Sequence, residues 1–311
     1  MQEQFQQFLR SPDQLYPALA LLGLTAALVW SYWNTLVETA GSWDNPLYSH
    51  GYLVPLFMVV LLALRYEPFS KPTMWARWAG LGLLAAGLGM RMIGTRFAIV
   101  TVDMVSFVPS LAGLFLLVGG WKMMRWAGPA VAFLVFMFPL PDFVKRSVLA
   151  SLQQVATVAS TFMLQTLGIA AHREGNVINI GEMEMGVVDA CSGLRMLSIF
   201  VAMAIAIVLV VKRPWWDQLV ILLSAVPIAL AVNMIRITVT GVLFMVAGES
   251  EFAKNFFHDW AGWFMMPLAL GMLYVELFVL SKLVIDEGTP ELVRVGVPGG
   301  KPRSNIPVPG R

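Results

Sequence analysis

Apolar residues dominate eight stretches of the chain, near residues 15–33, 51–65, 78–94, 98–120, 126–141, 190–211, 218–246 and 260–281. Such runs approach the roughly 20 residues that a helix needs to cross the hydrocarbon of a bilayer. The pattern predicts an all-α integral membrane protein with about eight transmembrane helices. The segments between the runs are unequal. Residues 34–50 and 247–259 are modest loops, whereas 142–189 is nearly fifty residues long, and long connections tend to carry function. In its first half Val144, Val148, Leu152, Val155, Val158, Phe162 and Leu167 recur at helical spacing, with Lys145, Arg146, Gln153, Gln154 and Ser160 between them. An outward-facing amphipathic helix on the membrane surface is expected there. The second half, 176–188, partly alternates (Ile178 and Ile180, then Met183, Met185 and Val187) across Gly181, which predicts a short β-hairpin between spans five and six, leading to Cys191.

Composition agrees. Of 311 residues 58% are hydrophobic and 13% charged, with 11 Trp and 19 Met, and mean hydropathy is +0.72. A soluble globular enzyme is excluded on these numbers. The net charge of +2 comes without any Lys/Arg cluster, so nucleic acid is not an expected partner. The charge serves topology instead. Arg10 is the only basic residue before the first run and no small-residue cleavage site follows it, which points to a retained span over a removed signal peptide. With the N-terminus in the cytoplasm, 13 of the 21 basic residues fall inside: Arg10, Arg65, Lys71, Arg77, Lys122, Arg125, Lys212, Arg213, Lys282, Arg294, Lys301, Arg303 and Arg311. The positive-inside rule favours that orientation, with both termini cytoplasmic. The chain then divides into one polytopic membrane domain, 1–281, and a flexible cytoplasmic tail, 282–311, rich in Gly, Pro and charge.

Candidate chemistry is sparse. Cys191 is the one cysteine, and His50, His172 and His258 stand at no metal-ligand spacing. No metal or other cofactor is expected. Cys191 sits in Asp189-Ala190-Cys191-Ser192-Gly193-Leu194-Arg195, where a polar segment gives way to the sixth run. A thiol in the first turn of a helix, with Arg195 four residues on, is biased toward the thiolate by dipole and charge. The plainer alternative is a small buried apolar side chain. Arg236 lies inside the seventh run, and at helical spacing Asn233, Arg236 and Thr240 share one polar face. An intramembrane Arg costs about 2.5–3.5 kcal/mol to insert and usually faces a functional cavity; no carboxylate within the span is available to pair with it. His258, in Asn255-Phe256-Phe257-His258, opens the eighth run and suits proton transfer. Short connections between spans six, seven and eight predict that Cys191, Arg236 and His258 converge. His50, at the start of the second run, is either a supporting hydrogen-bond partner or interfacial. Asp103 is expected to pair with Arg91 or Arg96.

Asp189 to Arg195, Asn233 to Arg236 and His258, in that order, resemble the exosortase and archaeosortase family of membrane cysteine transpeptidases. Asn45-Pro46-Leu47-Tyr48-Ser49-His50-Gly51 and Phe138-Pro139-Leu140-Pro141 add to the resemblance, which spans roughly residues 15–281. The resemblance implies a Cys191–Arg236–His258 catalytic site supported by Arg195, Asn233, His50 and Asn255. It implies cleavage of a C-terminal sorting signal, a Pro-Glu-Pro-type motif followed by one span and a basic tail, on exported proteins, through a thioester and with an unidentified amine acceptor or water. Arg236 would stabilise either the oxyanion or the thiolate. A bacterial inner membrane, a site facing the periplasm and a link to exopolysaccharide export are implied as well. The competing readings are a transporter, in which Arg236 binds an anion and Cys191 is inert, and a non-catalytic membrane assembly factor.

Overall fold

The computed structural model describes residues 12–45, 47–181, 183–186, 193–211 and 214–247, with parts of 267–278. The expected tail at 282–311 lies outside the described residues. Helices account for most of the rest. They are α1 (Pro12–Ser31), α2 (Trp33–Ser42), α3 (Leu53–Arg65), α4 (Met74–Arg96), α5 (Val100–Val105), α6 (Phe107–Phe133), α7 (Asp142–Thr166), α8 (Gly193–Val210) and α9 (Trp215–Ala247). Among the described residues four helical stretches are long and apolar enough to cross a membrane: Pro12–Ser31, Val100–Met137, Asp142–Thr166 and Trp215–Leu243. The chain is a multi-pass membrane protein. Its surface has the matching inversion. Trp30, Trp75, Trp78, Leu22 and Leu56 are all exposed, as side chains solvated by lipid should be.

Two of the eight expected runs, 98–120 and 126–141, form the single helical stretch Val100–Met137, but that stretch is folded. Gly120 has φ 68° and ψ −166°, a conformation that lies outside any helix and that only glycine adopts cheaply. Thr35 Oγ1 donates to Asp103 Oδ2 at 2.9 Å, and Trp43 Nε1 donates to the Met137 carbonyl at 2.8 Å. Thr35 and Trp43 are only about 12 Å apart along a helix, whereas Asp103 and Met137 on a straight one would be about 50 Å apart. The two halves must therefore double back at Gly120. The packing shows the same reversal. Before Gly120, Ser110 and Asp103 lie against Gly87 and Gly94 of α4; after it, Trp126 packs edge-on against Tyr66 and Phe133 tilted against Phe57, at 5.8 and 4.9 Å between ring centroids.

The turn at Gly120 lies beside Pro72, Ser70 Oγ reaches the Gly119 carbonyl, and Arg65 donates to the Leu209 carbonyl at the end of α8. Arg65, Lys71, Arg77, Lys122 and Arg125 are thus gathered at one end of the bundle. At the other end a polar network closes the junction of α1 and α2. Arg91 lies 4.1 Å over the Tyr32 ring and 3.8 Å from Asp103, and it donates to the Ser31 hydroxyl and carbonyl. The Tyr32 hydroxyl meets Ser106 and Ser110. Of the two partners expected for Asp103, Arg91 is the one found.

In place of a two-stranded hairpin, a three-stranded antiparallel meander follows α7: β1 (Ala171–Glu174), β2 (Val177–Ile180) and β3 (Met183–Gly186). Gly175, with φ 61°, makes the two-residue turn between β1 and β2. Strand β1 shows no alternation in the sequence because its residues His172, Arg173 and Glu174 are all exposed. On the other strands Ile178, Ile180 and Met185 are buried and pack with Ala156 and Leu164 of α7 and Ile237 of α9.

The stripe expected along α7 is corrected in its second half. Val155, Val158, Phe162 and Leu167 face outward, whereas Ala156, Thr157, Ser160, Thr161 and Leu164 are buried. Small and hydroxyl side chains let helix backbones approach closely in an apolar solvent, where burying large apolar groups confers no advantage over lipid.

Candidate functional site

The site is built on α9. Val232, Asn233, Arg236, Ile237 and Thr240 are all buried, with Asn233 3% and Arg236 5% exposed. The polar face expected at Asn233, Arg236 and Thr240 is therefore an inward face. Trp215 and Trp216, exposed at the start of α9, follow closely on the end of α8 that Arg65 reaches. Arg236 lies about 31 Å further along the helix, close to one hydrocarbon thickness. It consequently sits toward the end of the bundle opposite the basic residues.

Helix α7 walls this region. Ser160 Oγ donates to the Met234 carbonyl at 3.4 Å, Thr238 Oγ1 approaches Met163 Sδ at 3.8 Å, and a Cβ on Gly241 would stand 3.2 Å from Leu164 and 3.3 Å from Ile180. On the other side, Phe200 of α8 packs with Ala229 and Val232, and Leu268 and Met272 join the same cluster. The runs expected as spans six, seven and eight are neighbours, as short connections predict.

Among the described residues, Arg236 Nε and Asn233 Oδ1 are both buried without a hydrogen-bond partner. Leaving such groups unpaired costs about 1–3 kcal/mol each, so each calls for a partner that the described residues do not supply. Among the described residues the one ion pair is Arg91–Asp103, so no described carboxylate neutralises Arg236. A buried guanidinium with an unused donor is suited to carry negative charge that develops on a ligand.

His50 lies in a 3₁₀ turn, Ser49–Tyr52, ahead of α3. Burial lowers its pKa, and the hydrogen bond to the Phe136 carbonyl opposes this only partly. Among the described residues its Nδ1 is buried without a partner. The neighbouring Tyr48 has its pKa raised by burial and by Asp142, against a hydrogen bond from the Leu140 backbone. The loop carrying Tyr48 and His50 thus lies against the Phe136–Asp142 segment. None of the described contacts ties His50 to Arg236. Because the folded-state pKa of His50 lies below the unfolded value, the unfolded chain takes up the proton first as pH falls. Stability is therefore expected to be full above about pH 6.5 and to decline below it. Melting of the solubilised protein at pH 7.5 and 5.5 checks this; an identical shift in His50→Gln would remove His50 as the cause.

Cys191, Asn255 and His258 lie outside the described residues. Arg195 falls in the first turn of α8, which is described from Gly193. The hydroxyl face of α7 was not singled out from the sequence as part of the site, although Thr157, Ser160 and Thr161 carry the i, i+3, i+4 spacing that marks it. Among the described residues no group of three His, Cys, Asp or Glu is placed to hold a metal ion. An apolar cavity of about 890 Å³ is lined by Leu21, Met58, Leu62, Phe107 and Phe115 among others, none of them from α7, α8 or α9.

Residues 42–275 match the family model described as transmembrane exosortase. The chain belongs to this family. The match covers every candidate residue of the exosortase site, from His50 through Cys191 and Arg236 to His258, and leaves out α1, nearly all of α2 and the 282–311 segment. No curated protein and no solved structure matches the exosortase chain.

Proposed function

We propose that this exosortase is a cysteine peptidase or transpeptidase that removes the C-terminal sorting signal of exported proteins, a Pro-Glu-Pro-type motif followed by one transmembrane helix and a basic tail. The Cys191 thiolate attacks the scissile carbonyl, with Arg236 holding the developing oxyanion. The carbon–nitrogen bond then breaks, the leaving amine takes its proton from His258, and the thioester is resolved by an amine acceptor or by water. Arg195, Asn233, His50 and Asn255 support the site. The protein occupies a bacterial inner membrane, with the site facing the periplasm and both termini in the cytoplasm.

The observation that carries this reading is Arg236, which is buried, lacks a described carboxylate partner and lies within the family match. Its level fits the substrate. A sorting signal whose basic tail stays at the basic end of the bundle presents its motif at the opposite interface, where Arg236 stands.

Co-expression with a tagged exported protein bearing a Pro-Glu-Pro tail, followed by immunoblot, tests the proposal. Wild type is expected to shorten the substrate and Cys191→Ala to leave it intact. Equal processing by both removes Cys191 as nucleophile, and a transporter or assembly factor processes with neither.

A further inference from the structure

Asn233 and Arg236 are three residues apart on one face of α9, separated by about 4.5 Å of helical rise. Asn233 presents an unpaired acceptor, Oδ1, and Arg236 an unpaired donor, Nε. Both side chains are more than nine-tenths buried. A buried donor and a buried acceptor side by side need a ligand that carries the reverse pair at similar spacing. A carboxylate satisfies only the arginine and an ammonium only the asparagine. In an extended peptide the N–H and C=O of one residue point to the same side, the arrangement by which one residue exchanges both bonds with a neighbouring strand.

We propose that Asn233 and Arg236 together hold one residue of the substrate in extended conformation, Asn233 Oδ1 accepting its backbone N–H and Arg236 Nε donating to its carbonyl. This rests on the reading of the site as one that takes a peptide. The terminal nitrogens of Arg236 would then serve the scissile carbonyl. Asn233 then acts as a substrate-binding residue that fixes the register of the motif without reading its side chains.

The test uses full-length Cys191→Ala protein in nanodiscs and a synthetic Pro-Glu-Pro peptide extended by an apolar segment. Binding is measured for the unmodified peptide and for a series in which each backbone amide in turn is replaced by an ester, which deletes one N–H. The cycle is repeated in Asn233→Leu, with thermal melting as the check on folding. One ester is expected to weaken binding to the Cys191→Ala protein by about tenfold and to cost nothing further in Asn233→Leu, the signature of two groups in contact. Losses that add at every position overturn the inference and leave the peptidase reading intact. Failure of the unmodified peptide to bind overturns the peptide-binding premise and the inference with it. Failure of wild type to process the co-expressed substrate, measured separately, is what overturns the peptidase reading.

Discussion

Substitution of Arg236 by Lys is expected to lower processing of a sorting-signal substrate by about 100-fold or more, the scale on which loss of a preorganised oxyanion donor acts. Lysine keeps the charge. It loses the Nε–H and the planar fork, and its ammonium draws hydration that a buried site does not supply. Stability should move the other way. Among the described residues Arg236 Nε has no hydrogen-bond partner and no carboxylate neutralises the side chain, so Arg236→Met exchanges a buried charge without a described counterion for a packed apolar chain. A gain of about 1–4 kcal/mol is expected, by analogy with buried charges replaced by hydrophobic residues of similar volume. Thermal melting of the solubilised protein alongside the immunoblot reads both. An Arg236 that served as half of a structural ion pair behaves oppositely, because its removal strands a buried partner at a cost of about 3–5 kcal/mol. Active Arg236→Lys together with a destabilised Arg236→Met would assign the residue to structure.

The second large effect is expected far from the site. Gly80, Gly87 and Gly94 recur every two turns on one face of α4, and each lies against the backbone of the α5–α6 stretch. A Cβ on Gly87 would stand 2.7 Å from the Ser110 amide nitrogen, and one on Gly94 2.6 Å from that of Asp103. Neither neighbour can yield by rotating a side chain. Overpacking of this kind costs about 1–3 kcal/mol for a methyl group and more for a branched chain. It also undoes the close backbone approach that holds helices together when lipid competes for apolar surface. Gly82 and Gly89, on the same helix, have no atom within 4 Å of a Cβ. Alanine there should be neutral or stabilising by up to about 1 kcal/mol, because glycine is a poor helix former. Melting temperatures of Gly87→Ala and Gly89→Ala are therefore expected to move in opposite directions. A shift of the same sign in both would mean that the α4 contact does not govern stability.

Much of the architecture is legible in residue order. Long apolar runs can be solvated in a bilayer only as helices with every backbone group paired internally, so the helical, multi-pass character follows from composition and run length. The polar face of Asn233, Arg236 and Thr240 was legible for a related reason, since helical spacing alone places the three together and an isolated charge must turn away from lipid. The order of the site motifs was enough to indicate the family, which the match over residues 42–275 shows.

Other features arise only in three dimensions. That the Val100–Met137 stretch folds back on itself depends on one positive φ at Gly120, which no hydrophobicity profile registers. The buried face of α7 is hydroxylic where the sequence invites an apolar one, because the usual inference of apolar inside and polar outside assumes water as the solvent. Strand β1 stayed hidden because its side chains are nearly all exposed and its pairing with β2 is a backbone affair. The sequence by itself determined the class of solvent, the helical character and the polar face of Asn233, Arg236 and Thr240, since these depend on local composition and period. Tertiary structure alone decided where the chain reverses, which helix faces are buried, and that among the described residues Arg236 Nε and Asn233 Oδ1 find no partner, because those depend on groups distant in the chain.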